Sequence, residues 1–114
     1  MKLFVDDERA CPEGWDLVKT AEEAILMLDH EAVEEISLDH DLGDQDHDPE
    51  WTGYTVLLHI ESRVVWDDAY YAPKIKIHTA NSGARPKMEA GVASIERYMR
   101  LKFEAEESNS SPVV

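Results

Sequence analysis

The sequence is short of several things at once. A single cysteine, Cys11, leaves no internal disulfide to form, which fits a reducing, cytoplasmic setting. No histidine stands near Cys11 in the chain, so it reads as structural and not as a nucleophile. Basic residues are scarce, 11 Lys and Arg against 25 Asp and Glu, for a net charge of −14. An acidic surface repels polyanions, which excludes a scaffold that grips duplex DNA in a basic groove. No apolar run approaches the roughly 18–20 residues of a membrane helix, so no membrane is expected as a partner. Nor does Lys2-Leu3-Phe4-Val5, directly after Met1, resemble a signal segment. At 114 residues the chain has room for one domain with a core of its own. Composition is silent on its oligomeric state.

Acid is what the chain has in excess, concentrated in 39–50 and 104–107. Such clusters are either solvated faces or sites for a hard cation that bridges to phosphate oxygens.

Lys2-Leu3-Phe4-Val5 is a compact apolar segment and reads as a buried strand, running into the consecutive acids Asp6, Asp7 and Glu8. Like charges in a row at a strand end need solvent, a base or a metal to compensate them. Ala10 to Gly14 carries Pro and Gly and reads as a loop. A second strand follows from Trp15 to Val18, after a connection too short for a full helical crossover. Thr20 and Glu23 make a capping box for a helix with Ala21, Ala24, Ile25 and Leu28 on its apolar stripe. His30 closes that helix, where a cation suits the dipole.

A third strand, Ile36 to Asp39, ends in Asp39-His40-Asp41 before Gly43 turns the chain. The acidic stretch that follows to Thr52 reads as a loop, with His47 available to line a site. Its Asp-x-Asp spacing does not fit the calcium loop of an EF-hand. Val56, Leu57, Ile60 and Val64 give the next helix, from Gly53 to about Val65, its apolar face. His59 within it reads as structural. Ile75, Ile77 and Thr79 alternate with Lys76 and His78 in a fourth strand, which ends in the polar run His78-Thr79-Ala80-Asn81. Met88, Val92, Ile95 and Met99 then fall at helical spacing between Pro86 and Phe103, with Pro86 suited to a first turn. The three tryptophans, Trp15, Trp51 and Trp66, read as core or loop anchors.

The order of elements predicts an α/β fold: a mostly parallel sheet of about four strands with helices on both faces, a three-layer sandwich. The domain is expected to span residues 1–103, followed by a disordered acidic tail at 104–114. In a parallel sheet the carboxyl ends of neighbouring strands meet along one edge. Asp6-Asp7, Asp39-His40-Asp41 and His78-Thr79-Asn81 are therefore expected to share one crevice.

Two acids after the first strand, Asp39 after the third and Thr79 after the fourth resemble the receiver domain of two-component response regulators, a flavodoxin-like fold. That resemblance implies Mg²⁺ on Asp6 and Asp7, phosphoryl transfer to Asp39 and an orienting role for Thr79. The first helix is nearly missing, however, no Lys-Pro follows a fifth strand, and imidazoles at 40 and 78 are foreign to ordinary receivers. Val-Asp-Asp-Glu-Arg, Leu-Asp-His-Asp-Leu-Gly and His-Thr-Ala-Asn together resemble, from Lys2 to Lys102, the derived cyclic-phosphate processing receiver family. Membership would imply action on cyclic phosphate ends in RNA repair or nucleotide signalling. Arg85-Pro86-Lys87 departs from that family's more apolar, amide-like turn.

The residues themselves suit such chemistry. Opening a cyclic phosphodiester needs in-line attack by water, neutralised phosphoryl oxygens and a proton for the leaving alkoxide. His40 and His78 suit the roles of base and acid. Asp6, Asp7, Asp39 and Asp41 are candidate ligands for a divalent metal, Mg²⁺ or Mn²⁺. Arg9, Arg85 and Lys87 are candidate phosphate clamps, with Thr79 and Asn81 as further phosphate contacts. The expected activity is a metal-aided phosphoesterase, a phosphoric diester hydrolase, whose partner is a phosphate-containing small molecule or an RNA end. Two alternatives stay open: a non-catalytic or phosphoacceptor receiver that binds a protein, and a module that sequesters a cyclic nucleotide uncleaved.

Overall fold

A computed structural model describes residues 1–42 and 51–110. The strands are β1 (Lys2–Val5), β2 (Asp16–Val18), β3 (Glu35–Leu38) and β4 (Lys74–Ile77), and the helices α1 (Ala21–His30), α2 (Gly53–Trp66) and α3 (Arg85–Ser110). All strand pairs are parallel, in the order β2-β1-β3-β4. This is the receiver-like α/β sheet expected from the sequence. Between β1 and β2 there is no helix; a turn closed by Trp15 N–H donating to the Pro12 carbonyl, with Gly14 at φ +84°, returns the chain. Glycine suits that positive φ because it has no β-carbon to clash.

One apolar cluster joins all three helices to one face of the sheet: Leu3, Val5, Val18, Ile36 and Leu38 pack with Ala24, Leu28, Val56, Leu57, Ile60, Met88 and Ile95. Strand residues alternate between faces, so the opposite face carries Lys2, Phe4, Leu17, Glu35, Ser37, Lys74 and Lys76. Helices were expected on both faces. Among the described elements they gather on one, because the abbreviated β1–β2 connection supplies no helix for the other. Glu35 Oε1 there forms an ion pair with the Lys76 ammonium at 2.8 Å, and Trp15 meets Phe4 edge-on.

The helix ends follow their caps. Thr20 Oγ1 accepts from Glu23 N–H at 3.1 Å, and Thr52 and Thr55 form a reciprocal capping box that starts α2 at Gly53. The Lys102 ammonium donates to the carbonyls of Val64, Asp67 and Tyr70 at 3.0, 2.8 and 2.6 Å. It thereby ties α3 to the end of α2, whose last carbonyls have no partner within the helix. α3 also runs past Phe103, where the sequence reading began its tail. Glu104, Ala105, Glu106 and Glu107 are strong helix formers and extend an established helix at little cost. Residues 111–114 and the acidic loop 43–50, with His47, lie outside the described residues. Trp66 anchors nothing, being 84% exposed.

Candidate functional site

The three polar clusters lie where the parallel register sends them. Just beyond the strands the ladder continues: Asp6 N–H donates to Val18, Asp39 N–H to Val5 and His78 N–H to Leu38, at 3.0–3.1 Å. Asp6, Asp39 and His78 therefore stand side by side at one sheet edge. Gly53 N–H donates to the His40 carbonyl at 3.0 Å, which brings the start of α2 against the same edge.

Asp6 is the buried member, 1% exposed. Its Oδ1 accepts from the N–H groups of Glu8 and Arg9 at 2.8 and 2.9 Å, and its Oδ2 faces His78 Nε2 at 2.9 Å. Burial pushes the Asp6 pKa up, but the Arg9 and Glu8 N–H groups and the His78 ring together outweigh it and hold the carboxyl below its ordinary value. Asp7 and Asp39 join it: one carboxylate oxygen from each of the three lies within 4.8 Å of the others. That is a separation a single cation can span, and hard oxygen donors suit Mg²⁺ or Mn²⁺.

Asp41 stands apart from the three. Its side chain is 66% exposed, its Oδ1 pairs with His40 Nδ1 at 2.8 Å, and both its oxygens take Asn81 Nδ2 at 3.3 Å. The His40 hydrogen bond chiefly, with Asn81 adding to it against a smaller effect of burial, lowers the Asp41 pKa. A carboxylate only accepts, so the neutral His40 ring carries its proton on Nδ1 and has its lone pair on Nε2. Among the described residues nothing pairs with that nitrogen. Asn81 also accepts from Ala84 N–H through Oδ1 at 3.0 Å, opening the turn into α3, and donates its N–H to Thr79 Oγ1 at 3.1 Å.

The candidate clamps divide. The Arg9 guanidinium reaches Asp6 at 3.8 Å and borders the cluster. Arg85 instead pairs with Glu89 one turn along α3, at 3.3 Å. Lys87 lies over the Tyr54 ring, 4.0 Å from its centroid, at the start of α2.

Two residues of this edge escaped the sequence reading. Ser37 Oγ lies 2.6 Å from His78 Nδ1, and Phe4 stacks flat against the His78 ring, 4.5 Å between centroids and 5° between planes. Both belong to the face opposite the core, which alternation along Ile36-Ser37-Leu38 foretells; a lone serine between two apolar residues was the signal.

A family model described as the Cyclic-phosphate processing Receiver domain matches residues 1–94. No curated protein and no solved structure matches the chain.

Proposed function

The chain belongs to the cyclic-phosphate processing receiver domain family, and on that premise we propose that it is a metal-aided phosphoesterase that opens cyclic phosphates, either 2′,3′-cyclic RNA ends or cyclic nucleotides. The observation that carries this reading is His40. Its Nδ1–H is held by Asp41, and its Nε2, which no described residue meets, is placed to take a proton from water, at the residue next to the Asp6–Asp7–Asp39 cluster. A receiver that only accepts a phosphoryl group has no use for a general base there.

Three carboxylates fit one divalent cation, held by Asp6, Asp7 and Asp39; when bound, it neutralises phosphoryl oxygens and lowers the pKa of water. His40 accepts the proton of the attacking water, with the ring oriented by Asp41 and Asn81, and the leaving alkoxide, on the opposite side of the phosphorus, takes its proton from solvent. Arg9 is placed to meet a phosphate oxygen beside Asp6, and Thr79 can turn its hydroxyl proton toward the same group, since its oxygen already accepts from Asn81. Lys87 and Arg85, facing Tyr54 and Glu89, are left to the substrate's periphery.

Incubation with Mg²⁺ or Mn²⁺ and each of three substrate types, 2′,3′-cyclic nucleotides, RNA with a cyclic phosphate end and cyclic dinucleotides, tests the reading. Turnover of at least one is expected; all three left intact would end it. The carboxylate cluster around Asp39 also suits a phosphoacceptor. In that reading acetyl phosphate adds a phosphoryl group to Asp39, visible by mass after borohydride trapping. Recovery of a bound cyclic nucleotide unchanged would instead mark a sequestering module.

A further inference from the structure

Both ring nitrogens of His78 are committed within the protein, Nε2 to Asp6 Oδ2 at 2.9 Å and Nδ1 to Ser37 Oγ at 2.6 Å, while Phe4 covers one ring face. A ring held in this way has no nitrogen free for a substrate, so sharing the proton transfers with His40 is not its task. Its surroundings point to a different one. Asp6 accepts only, and a serine hydroxyl has a single proton to give. The neutral arrangement that satisfies all three groups has Ser37 O–H donating to Nδ1 and the ring proton on Nε2, donated to Asp6. With the opposite tautomer, the Nε2 lone pair would face the Asp6 carboxylate, lone pair against lone pair.

We infer that Ser37 is a positioning residue: its hydroxyl, donated to Nδ1, fixes the ring plane of His78, whose tautomer Asp6 sets, and His78 thereby fixes the Asp6 carboxylate toward Asp7 and Asp39. The consequence for function rests on the reading that these carboxylates hold a divalent ion. Asp6 is the member of that cluster most tightly built in, with two backbone donors on one oxygen and the ring on the other. A ligand carboxylate free to rotate presents a metal with a wider range of geometries and binds it less tightly. Partners of this kind behind a metal ligand are worth roughly 10–100-fold in affinity. The position of Ser37 agrees with the role: a buried hydroxyl in the middle of β3, on the face away from the core, with no apolar packing to supply.

The experiment pairs a spectroscopic readout with a binding one. Long-range ¹⁵N–¹H correlation of the imidazoles in the metal-free protein should show His78 as the neutral Nε2–H tautomer. Ser37→Ala should keep that tautomer but shift the Nδ1 resonance, which loses its hydrogen-bond donor, and Ser37→Thr, which keeps the hydroxyl, should leave it in place. Calorimetric titration with Mn²⁺ should give Ser37→Ala a Kd raised about 10–100-fold. His78→Gln, whose amide N–H stands where the ring's Nε2–H stood, should bind Mn²⁺ much more tightly than Ser37→Ala. A wild-type ring that is doubly protonated or carries its proton on Nδ1 would overturn the inference. So would an unmoved Nδ1 resonance in Ser37→Ala, or a His78→Gln protein as weak as Ser37→Ala. Wild-type protein that takes up no metal would instead defeat the metal reading, and the Nδ1 resonance alone would then decide the role of Ser37.

Discussion

Gly53 stands so close to Asp39 that a β-carbon built on it would lie 1.9 Å from the Asp39 carbonyl oxygen and 3.1 Å from the Met88 methyl. The glycine is what allows the N-terminus of α2 to seat against the strand end that bears the acid and His40. Gly53→Ala has to push that backbone away. The expected cost is about 1–3 kcal/mol of stability, as for other overpacked sites. A strand end displaced by roughly an ångström also costs on the order of 10²-fold in turnover. Urea denaturation beside a hydrolysis assay checks both; a variant with wild-type stability and turnover would show that the close approach is not a constraint.

His40→Ala is expected to lower turnover by roughly 10²–10⁴-fold, the usual scale for removing an acid or base. Asp41→Asn, which keeps the shape but weakens the hold on Nδ1–H, should lower it less. Hydrolysis of whichever cyclic phosphate proves to be the substrate measures both. Full activity in His40→Ala would remove the imidazole from the mechanism.

Away from the site, Asp29 ties α1 to α2, pairing with His59 Nε2 at 2.8 Å and Arg63 Nη1 at 2.6 Å. Burial raises its pKa, but the His59 and Arg63 hydrogen bonds and charges outweigh burial and hold it below the ordinary 3.8. A carboxylate with a depressed pKa in the folded state adds stability that is present above its unfolded pKa and is lost as pH falls through the lower folded value. The stability gap between wild type and Asp29→Asn should therefore be full near neutral pH and close as the pH drops below 3.8. Urea midpoints measured from pH 7 downward test this, and a gap that widens in acid would contradict it.

Lys102→Met keeps most of the side-chain volume but withdraws three donors from the carbonyls of Val64, Asp67 and Tyr70. Buried carbonyls left without partners cost about 1–3 kcal/mol. Chemical denaturation should show a loss of that size with cyclic-phosphate turnover unaffected at temperatures where the variant is folded. An unchanged midpoint would mean that water replaces the ammonium.

Much of this fold is legible in the chain. Leu3 to Val5, Ile36 to Leu38 and Ile75 to Ile77 lie within strands because buried parallel strands demand compact apolar runs, and each run ends in the residues that form the site. The convergence of Asp6, Asp39 and His78 follows from parallel register alone. Other features depend on which residues the folded chain brings together. Ser37 looks like an interruption in an apolar run until His78 arrives opposite it, 41 residues later. Gly53 reads as a helix start, and only the approach of Asp39 shows why nothing larger fits. Lys102 has a long, flexible stem, and its three carbonyl partners, Val64, Asp67 and Tyr70, lie more than 30 residues earlier in the chain. The gathering of the helices over one face was hidden for a related reason: the shortness of the β1–β2 connection was visible, but not that its loss would leave a whole face without a helix.

The two outer strands have a consequence for how the molecule meets its own copies. Among the described residues β2 and β4 each pair on one side only, the kind of border along which chains stack into extended aggregates. Here the borders are three and four residues long, too short to template a lengthening ladder. Lys74, exposed on the longer of them, adds positive charge there, so that a second copy approaching edge to edge meets like charge. Short borders and an exposed lysine at β4 thus work against edge-to-edge pairing of copies.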